Sequence, residues 1–141
     1  MRIAFDVGGV LSKYHNIFRP LLQDLYYAGC ENYGTTEIHV ISDIHPKEKI
    51  LDMLRLNEFS FIYEKNVHSA DYATYGEACK AKLCEELGID LLIDDFPGYV
   101  ADGHHVRLLV MPDTSQPYYN DDWITDGSEG DFGRRKRVKT S

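Results

Sequence analysis

The sequence has few cysteines and no long hydrophobic run, and these absences exclude several classes of protein. Its three cysteines, Cys30, Cys79 and Cys84, show no CxxC or CxxH spacing, so neither a disulfide framework nor a zinc site is indicated. No run approaches the roughly 18 apolar residues that a membrane-spanning helix needs, and the start lacks the pattern of a signal peptide. We therefore expect reduced, packed thiols in a cytoplasmic protein with no membrane partner.

Positive charge is also scarce, except at the C-terminus. The chain has 15 Lys and Arg against 23 Asp and Glu, a net charge of -8. Five basic residues lie within 134–141, and removing their five charges from -8 leaves -13 for residues 1–133. We expect this acidic body to repel nucleic acid, so only the basic tail would contact it. A solvated, disordered terminus is the simpler interpretation of residues 134–141.

The sequence does have enough apolar residues for one core, arranged as strands that alternate with helices. With 43% hydrophobic residues, the length fits a single domain over residues 1–133. Strands are predicted at 3–5, 38–42, 59–63, 91–93 and 106–111, and helices at 18–29, 46–54 and 74–87. This alternation predicts an α/β protein: a three-layer, Rossmann-like α/β/α fold with a five-stranded parallel sheet.

Carboxylates follow two of the predicted strands. Asp6 ends the first strand, just before Gly8 and Gly9, and Asp94-Asp95 follow the fourth. In an open parallel sheet, ligands bind outside the carboxyl ends of the strands, so we expect Asp6 at the lip of a crevice. An aspartate that merely opens a glycine turn is the competing interpretation of the first site. Adjacent aspartates raise each other's pKa and repel each other unless a cation or a lysine neutralises them, so the second site indicates a metal centre.

A lysine begins the inward face of the helix predicted at 74–87. Lys80 shares a stripe with Leu83, Cys84 and Leu87 at i, i+3, i+4 and i+7. Lys82 is two residues on, about 200° around the helix, and should face solvent. A lysine on a core stripe usually extends its charged end to water, unless an anionic partner lies at its tip.

The order Asp6, Ser42, Lys80, Asp94-Asp95 resembles the haloacid dehalogenase (HAD) superfamily of phosphohydrolases and phosphotransferases. The resemblance covers residues 2 to about 111. It implies that Asp6 attacks phosphorus and becomes an aspartyl-phosphate. It also implies a magnesium ion held by Asp6, the Gly8 carbonyl and Asp94, with Asp95 in support. The residues that the resemblance assigns to substrate binding are Ser42, Asp43, Lys80 and Gly9.

One residue departs from the pattern of this superfamily. Members that hydrolyse phosphomonoesters usually have a second aspartate two positions after the nucleophile, and this chain has Gly8 there. Glycine cannot transfer a proton, and general acid catalysis is typically worth about 10²–10⁴-fold. His15 and His45 lie on segments that are expected to reach the site, and histidine is the side chain that ordinarily titrates near neutrality. An ordinary surface histidine is the simpler interpretation of each.

The spacing of the motifs leaves no room for the cap domain of small-metabolite relatives. The intervals from Asp6 to Ser42 and from Ser42 to Lys80 contain 35 and 37 residues, which the predicted helices and strand already fill. The resemblance therefore implies a capless, open site for a phosphorylated and bulky or macromolecular partner, or an oligomer in which a neighbouring subunit excludes water.

Two other functions fit part of this pattern. A weak or inactive phosphate-binding module would use the same pocket, and Gly8 favours it. A phosphoacceptor receiver domain also combines aspartates, a hydroxyl and a lysine. Its acidic pair follows the first strand and its lysine follows the last, and the order here is the reverse.

Overall fold

The computed structural model describes residues 1–31, 36–43, 45–96 and 105–112. Residues 113–133 of the predicted domain and the predicted basic tail at 134–141 lie outside this part of the chain. Within the described part, no helix has both the length and the apolar character needed to cross a membrane.

Five parallel strands form one sheet. They are β1 (Arg2–Phe5), β2 (Glu37–Ser42), β3 (Val67–Ser69), β4 (Leu91–Asp94) and β5 (Arg107–Val110). Their spatial order is β3-β2-β1-β4-β5, with every neighbouring pair parallel. The predicted α/β fold with a five-stranded parallel sheet is confirmed. β1 lies at the centre, where Phe5 is in register with Val40 on one side and Ile93 on the other.

Four helices connect the strands in the described residues. They are α1 (His15–Glu31), α2 (Lys47–Leu56), α3 (Tyr72–Tyr75) and α4 (Cys79–Leu87). Ile50 and Leu54 of α2 are buried on one face, as their i, i+4 spacing predicts. In α1, Phe18 and Leu22 are buried but Leu21 is 48% exposed, so the predicted apolar stripe of this helix was one residue too wide.

The third strand was predicted at 59–63, and this prediction is wrong. That segment is a turn in which the Ile62 amide donates to the Phe59 carbonyl at 3.1 Å, and the strand follows at Val67–Ser69. Phe59 and Ile62 are both buried in the core. Because these two residues are three positions apart, they anchor a turn in the core. The alternating aromatic residues Phe59, Phe61 and Tyr63 had indicated a strand instead.

The helix predicted at 74–87 is interrupted. α3 ends at Tyr75, a short 3-10 turn occupies Gly76–Ala78, and α4 begins at Cys79. Gly76 has φ 59° and ψ -137°, a conformation that side chains strongly disfavour and that breaks the helix. The phase of the later part is unchanged, so the inward stripe that starts at Lys80 is preserved.

Both faces of the sheet carry an apolar cluster. Phe5, Val40 and Ile93 belong to one cluster, which Phe18 and Leu22 of α1 and Ile50 and Leu54 of α2 complete. Ala4, Ile41 and Leu92 belong to a second cluster, together with Cys79 and Cys84 of α4. Neighbouring strand residues thus point to opposite faces and both are buried, as expected for a parallel sheet.

Candidate metal and phosphate site

Two neighbouring strands end in aspartates at the same edge of the sheet. Asp6 follows β1, Asp94 closes β4, and the Asp6 amide donates to the Ile93 carbonyl at 2.9 Å. Because β1 and β4 are parallel and adjacent, their carboxyl ends meet. Asp6, Asp94 and Asp95 are all buried, and one oxygen from each lies within 4.8 Å of the others.

Lys80 enters this cluster from α4. Its Nζ lies 3.0 Å from Asp6 Oδ1 and 2.6 Å from Asp94 Oδ2. The side chain is 0% exposed, so it does not extend to water. Lys82, by contrast, has a side chain that is 45% exposed. The predicted helix phase is confirmed, and the anionic partners expected at the tip of Lys80 are Asp6 and Asp94.

Burial and charge act in opposite directions on the ionisable groups of the cluster. Burial lowers the pKa of Lys80, but the carboxylates of Asp6, Asp94 and Asp43 outweigh it and raise this pKa above its usual value. Burial raises the pKa of Asp94 to about 6, with Lys80 opposing the shift and Asp95 adding to it. At pH 7 Lys80 is therefore protonated and Asp94 is mostly ionised. One ammonium, that of Lys80, thus lies among the three aspartates of the cluster.

Ser42 and Asp43 lie at the end of the next strand, β2, and both are buried. The Ser42 carbonyl accepts a hydrogen bond of 2.7 Å from the Ala70 amide, which fixes this strand end against the segment after β3. Asp43 acts electrostatically on Lys80, so its carboxylate belongs to the same edge. The structure thus brings the ends of β1, β2 and β4 together, as the sequence predicts.

The two glycines after Asp6 differ in what they require. Gly8 is exposed and has φ -67° and ψ 130°, which any residue adopts, and a Cβ there would have no atom within 4 Å. Gly9 has φ 75°, where a side chain is strained. The turn is closed by the Leu11 amide on the Asp6 carbonyl and the Ser12 amide on the Val7 carbonyl. Gly9 therefore shapes the turn, whereas Gly8 leaves open space two residues after Asp6.

The donor set of the cluster suits a hard cation. Three carboxylates offer oxygen ligands within a span that one ion can bridge, and Mg²⁺ and Ca²⁺ prefer oxygen ligands in proteins. Lys80 neutralises only part of the negative charge. The buried aspartates Asp6, Asp94 and Asp95 could therefore hold a metal ion.

Burial is the feature of this site that the sequence did not indicate. Asp6 was expected at the lip of a crevice, but it is only 3% exposed, and Ser42 and Asp43 are 4% and 7% exposed. A strand-end position is legible in sequence, whereas the depth of the side chain depends on elements packed from elsewhere. Gly8, two residues after Asp6, is exposed.

The two histidines considered for the site have different surroundings. His15 begins α1 instead of lying in a loop, and its ring contacts Phe59 edge-on at 6.2 Å and Asn16 at 3.1 Å. His45 is partly buried; burial lowers its pKa, Lys49 lowers it further and Asp43 opposes the shift. His45 thus responds to the charge of Asp43, which follows β2 at the same edge of the sheet.

A cavity lies away from the carboxylates. It has a volume of about 450 Å³ and is formed by α2 and the turn that follows it, with Leu51, Leu54, Arg55, Phe59, Ser60, Phe61, Ile62, Tyr63 and Glu64 as its lining. None of the strand-end aspartates contributes to it.

Comparison with known proteins adds no relative. No protein-family model, no curated protein and no solved structure matches the chain.

Proposed function

We propose that the chain is a magnesium-dependent phosphohydrolase or phosphotransferase of the HAD-like type, which acts through an aspartyl-phosphate on Asp6. One observation carries this proposal. A fully buried Lys80 bridges Asp6 and Asp94 at the carboxyl ends of two adjacent parallel strands, 3.0 Å and 2.6 Å from their oxygens. An arrangement that buries this much charge is costly for stability, and such perturbed groups concentrate at functional sites.

The chemistry assigned to Asp6 is nucleophilic attack. One carboxylate oxygen forms a bond to phosphorus while the bond from phosphorus to the leaving oxygen breaks and that oxygen takes the electron pair. Water then attacks the aspartyl-phosphate and releases phosphate, or an acceptor hydroxyl takes the phosphoryl group. Lys80 favours the anionic form of Asp6 and screens the charge of the entering phosphate.

Magnesium would be held by Asp6, the Gly8 carbonyl and Asp94, with Asp95 in support. The three carboxylates fit such an ion by donor type and by spacing. When bound, the ion supplies positive charge that stabilises the phosphoryl oxygens.

The remaining assigned residues bind substrate. Ser42, at the end of β2, has a hydroxyl that is able to donate to a phosphate oxygen. Gly9 has a positive φ in the turn after Asp6, where a backbone N–H is able to approach an anion closely. Asp43 shares the edge through its effect on Lys80 and is assigned to the polar part of the substrate.

The proposal includes a three-layer, capless architecture. Helices α1 and α2 contribute to the apolar cluster on one sheet face and α4 to the cluster on the other, which supports the three layers. The described residues between Asp6 and Lys80 form helices, turns and strands of this domain, which supports the absence of a cap. A capless site suits a phosphorylated partner that is bulky or macromolecular.

The test is turnover of acetyl phosphate and p-nitrophenyl phosphate with Mg²⁺ by the wild type, Asp6→Asn and Lys82→Ala. We expect turnover by the wild type and by Lys82→Ala, and none above background by Asp6→Asn. Turnover by Asp6→Asn equal to that of the wild type would overturn the assignment of the nucleophile.

A second function is favoured by a specific observation, the open space beside Gly8. No side chain at position 8 protonates a leaving group or activates water, so the cluster would serve as a phosphate-binding module of little or no activity. This alternative predicts that a phosphorylated ligand binds and that Lys80→Ala weakens its binding. It also predicts that no ester or anhydride turns over and that no phosphorylated Asp6 is trapped.

A further inference from the structure

A second cluster of ionisable side chains lies on the sheet, away from the carboxylate edge. His39 on β2 is 5% exposed and contacts two partners with its two ring nitrogens. Nε2 lies 3.0 Å from Glu37 Oε1, and Nδ1 lies 3.0 Å from Nε2 of His68 on β3. Glu37 in turn contacts Arg2 of β1 through its other oxygen, Oε2, at 3.2 Å. The four side chains form one hydrogen-bonded chain across three strands.

The two imidazole rings meet end to end. Their planes differ by only 17°, their centroids are 5.2 Å apart, and one nitrogen of each ring lies 3.0 Å from the other. A ring-nitrogen separation of 3.0 Å with this orientation fits an in-plane N–H···N hydrogen bond between His39 and His68.

Such a bond holds a single proton. If His39 is neutral, it donates from Nε2 to Glu37 and accepts at Nδ1 from His68. If His39 is charged, it donates from both nitrogens and His68 accepts. With both rings charged, two N–H groups point at each other and the bond is lost. The contact therefore exists only while the histidine pair carries at most one positive charge.

The surrounding charges favour that state at neutral pH. Burial, the neighbouring His39 and Lys47 at the start of α2 lower the pKa of His68 to about 4. The pKa of Glu37 is lowered mainly by its hydrogen bond with His39, with help from Arg2. The charged groups shown to act on the chain are thus Glu37 on β2, Arg2 on β1 and Lys47 on α2.

β3 connects this chain to the carboxylate edge. It is an edge strand of three residues with β2 as its neighbour in the sheet. Immediately beyond His68, the Ser69 hydroxyl donates to the His45 carbonyl at 2.6 Å, and the Ala70 amide donates to the Ser42 carbonyl at 2.7 Å. Loosening β3 would therefore release the two hydrogen bonds that join it to Ser42 and His45.

We propose that the Glu37–His39–His68 chain is a proton-operated latch, which holds β3 and its hydrogen bonds to Ser42 and His45 in place and opens when a second proton enters the histidine pair. The latch itself does not depend on the chemistry of the carboxylate edge. Its consequence for substrate binding by Ser42 and Asp43 rests on the proposed function.

The direction of the pH effect follows from the lowered pKa of His68. Its pKa is lower in the closed state than its ordinary value of 6.5, so the closed state binds fewer protons than the open state. The contribution of His68 to the stability of the closed state is therefore fully present above about pH 6.5 and is lost as the pH falls toward 4. Between pH 7 and pH 5 the opening equilibrium should rise about 20-fold, or about tenfold once water screens the partly exposed ring.

The experiment is hydrogen exchange of the full chain at pH 7, 6 and 5, corrected for the intrinsic pH dependence of exchange and read by peptide mass spectrometry. Peptides that cover residues 64–71 should lose protection about tenfold between pH 7 and pH 5, whereas peptides that cover β1 and β4 should not. His68→Gln keeps an N–H donor toward His39 Nδ1 but cannot titrate, so its protection in this segment should be independent of pH. His105→Gln removes an exposed histidine that pairs with Asp90 at 3.1 Å and should behave as the wild type does.

Equal pH dependence in the wild type and His68→Gln would overturn the latch, as would uniform loss of protection over the whole sheet in both. The wild type also carries a test that needs no variant. NMR titration of its histidine rings should place His68 well below an ordinary histidine, and titration of His68 near pH 6.5 with β3 still protected would equally overturn the proposal.

Discussion

The two faces of α4 carry two lysines that are two residues apart and have opposite surroundings. Lys80 is fully buried, with Asp6 and Asp94 at 3.0 Å and 2.6 Å. Lys82 is 45% exposed, its Nζ lies 3.8 Å from Glu86, and it sits 4.9 Å above the ring of Tyr75. Lys80 is held by two residues outside its own helix, whereas Lys82 contacts Glu86 in the same helix and Tyr75 at the end of α3.

The difference shows what a buried charge requires. An exposed pair such as Lys82–Glu86 is worth about 0–1 kcal/mol, because water solvates either partner well. A buried ammonium loses that solvation, so it is retained only where several carboxylates compensate. The carboxylates that compensate Lys80 belong to Asp6 and Asp94, and carboxylate oxygens are also ligands that Mg²⁺ prefers. We therefore assign the proposed function to the side of α4 that faces these aspartates, which we call its inner face.

The largest expected effect comes from removing the buried charge. Lys80→Met keeps most of the side-chain volume but leaves Asp6 and Asp94 buried without their cation. The free energy of unfolding of the metal-free protein should fall by about 3–5 kcal/mol. Lys82→Met, the matched change on the outer face, should alter it by about 0.5 kcal/mol or less. Urea denaturation measures both, and equal effects would contradict the contrast between the two faces.

The next largest effect is expected from Asp94, a carboxylate that contacts Lys80 on the inner face of α4. Asp94→Asn removes a charged oxygen ligand and should weaken Mg²⁺ binding by about 100-fold, measured by titration calorimetry. Glu86→Gln removes a carboxylate from the outer face and should leave the Mg²⁺ affinity unchanged. Equal affinity of Asp94→Asn and the wild type would remove Asp94 from the metal site.

A third change adds a group to the inner site. Gly8 has an ordinary φ and open space around a new Cβ, so Gly8→Asp should fold without strain. The new carboxyl group should raise turnover of alkyl phosphates at least about tenfold, since it supplies general acid catalysis. Gly8→Asn has the same shape without the proton. If both variants gain equal turnover, proton transfer is not the cause. If the wild type already turns over alkyl and aryl phosphates at similar rates, another residue supplies the proton, and His45 is the first residue to substitute.

The smallest expected effect is the pH dependence of metal binding. The pKa of Asp94 is raised to about 6, mainly by burial, and a protonated Asp94 must lose its proton before it binds Mg²⁺. The affinity should therefore fall about fivefold from pH 6 to pH 5. Calorimetry in two buffers of different ionisation enthalpy should detect proton release near pH 6. An affinity that is constant over this range would mean that Asp94 is not a ligand or is already ionised.

Much of the cluster of Asp6, Asp94 and Asp95 with Lys80 could be predicted from the sequence, because its arrangement depends on two local regularities. Parallel strands end at one edge, which places Asp6, Ser42 and Asp94 together without knowledge of the packing. Helical periodicity fixes Lys80 as the inward lysine and Lys82 as the outward one, and the break at Gly76 does not alter that phase because it precedes both.

The rest depends on contacts that local patterns do not encode. The segment at 59–63 has the alternation of a strand, but Phe59 and Ile62 anchor a turn in the core, so the edge strand comes later. His39 is an alternating strand residue in sequence, and its partner His68 becomes visible only once β3 is placed correctly. The burial of Asp6 likewise depends on elements that pack over the sheet edge.

The most direct test of the central claim is to trap the covalent intermediate. The wild type is incubated with Mg²⁺ and acetyl phosphate, quenched in acid and digested, and the phosphorylated peptide is identified by mass spectrometry. The account predicts one phosphoryl group on Asp6, retained in Lys82→Ala and lost in Asp6→Asn. Phosphorylation at another residue, or no adduct under conditions in which acetyl phosphate is hydrolysed, would contradict it.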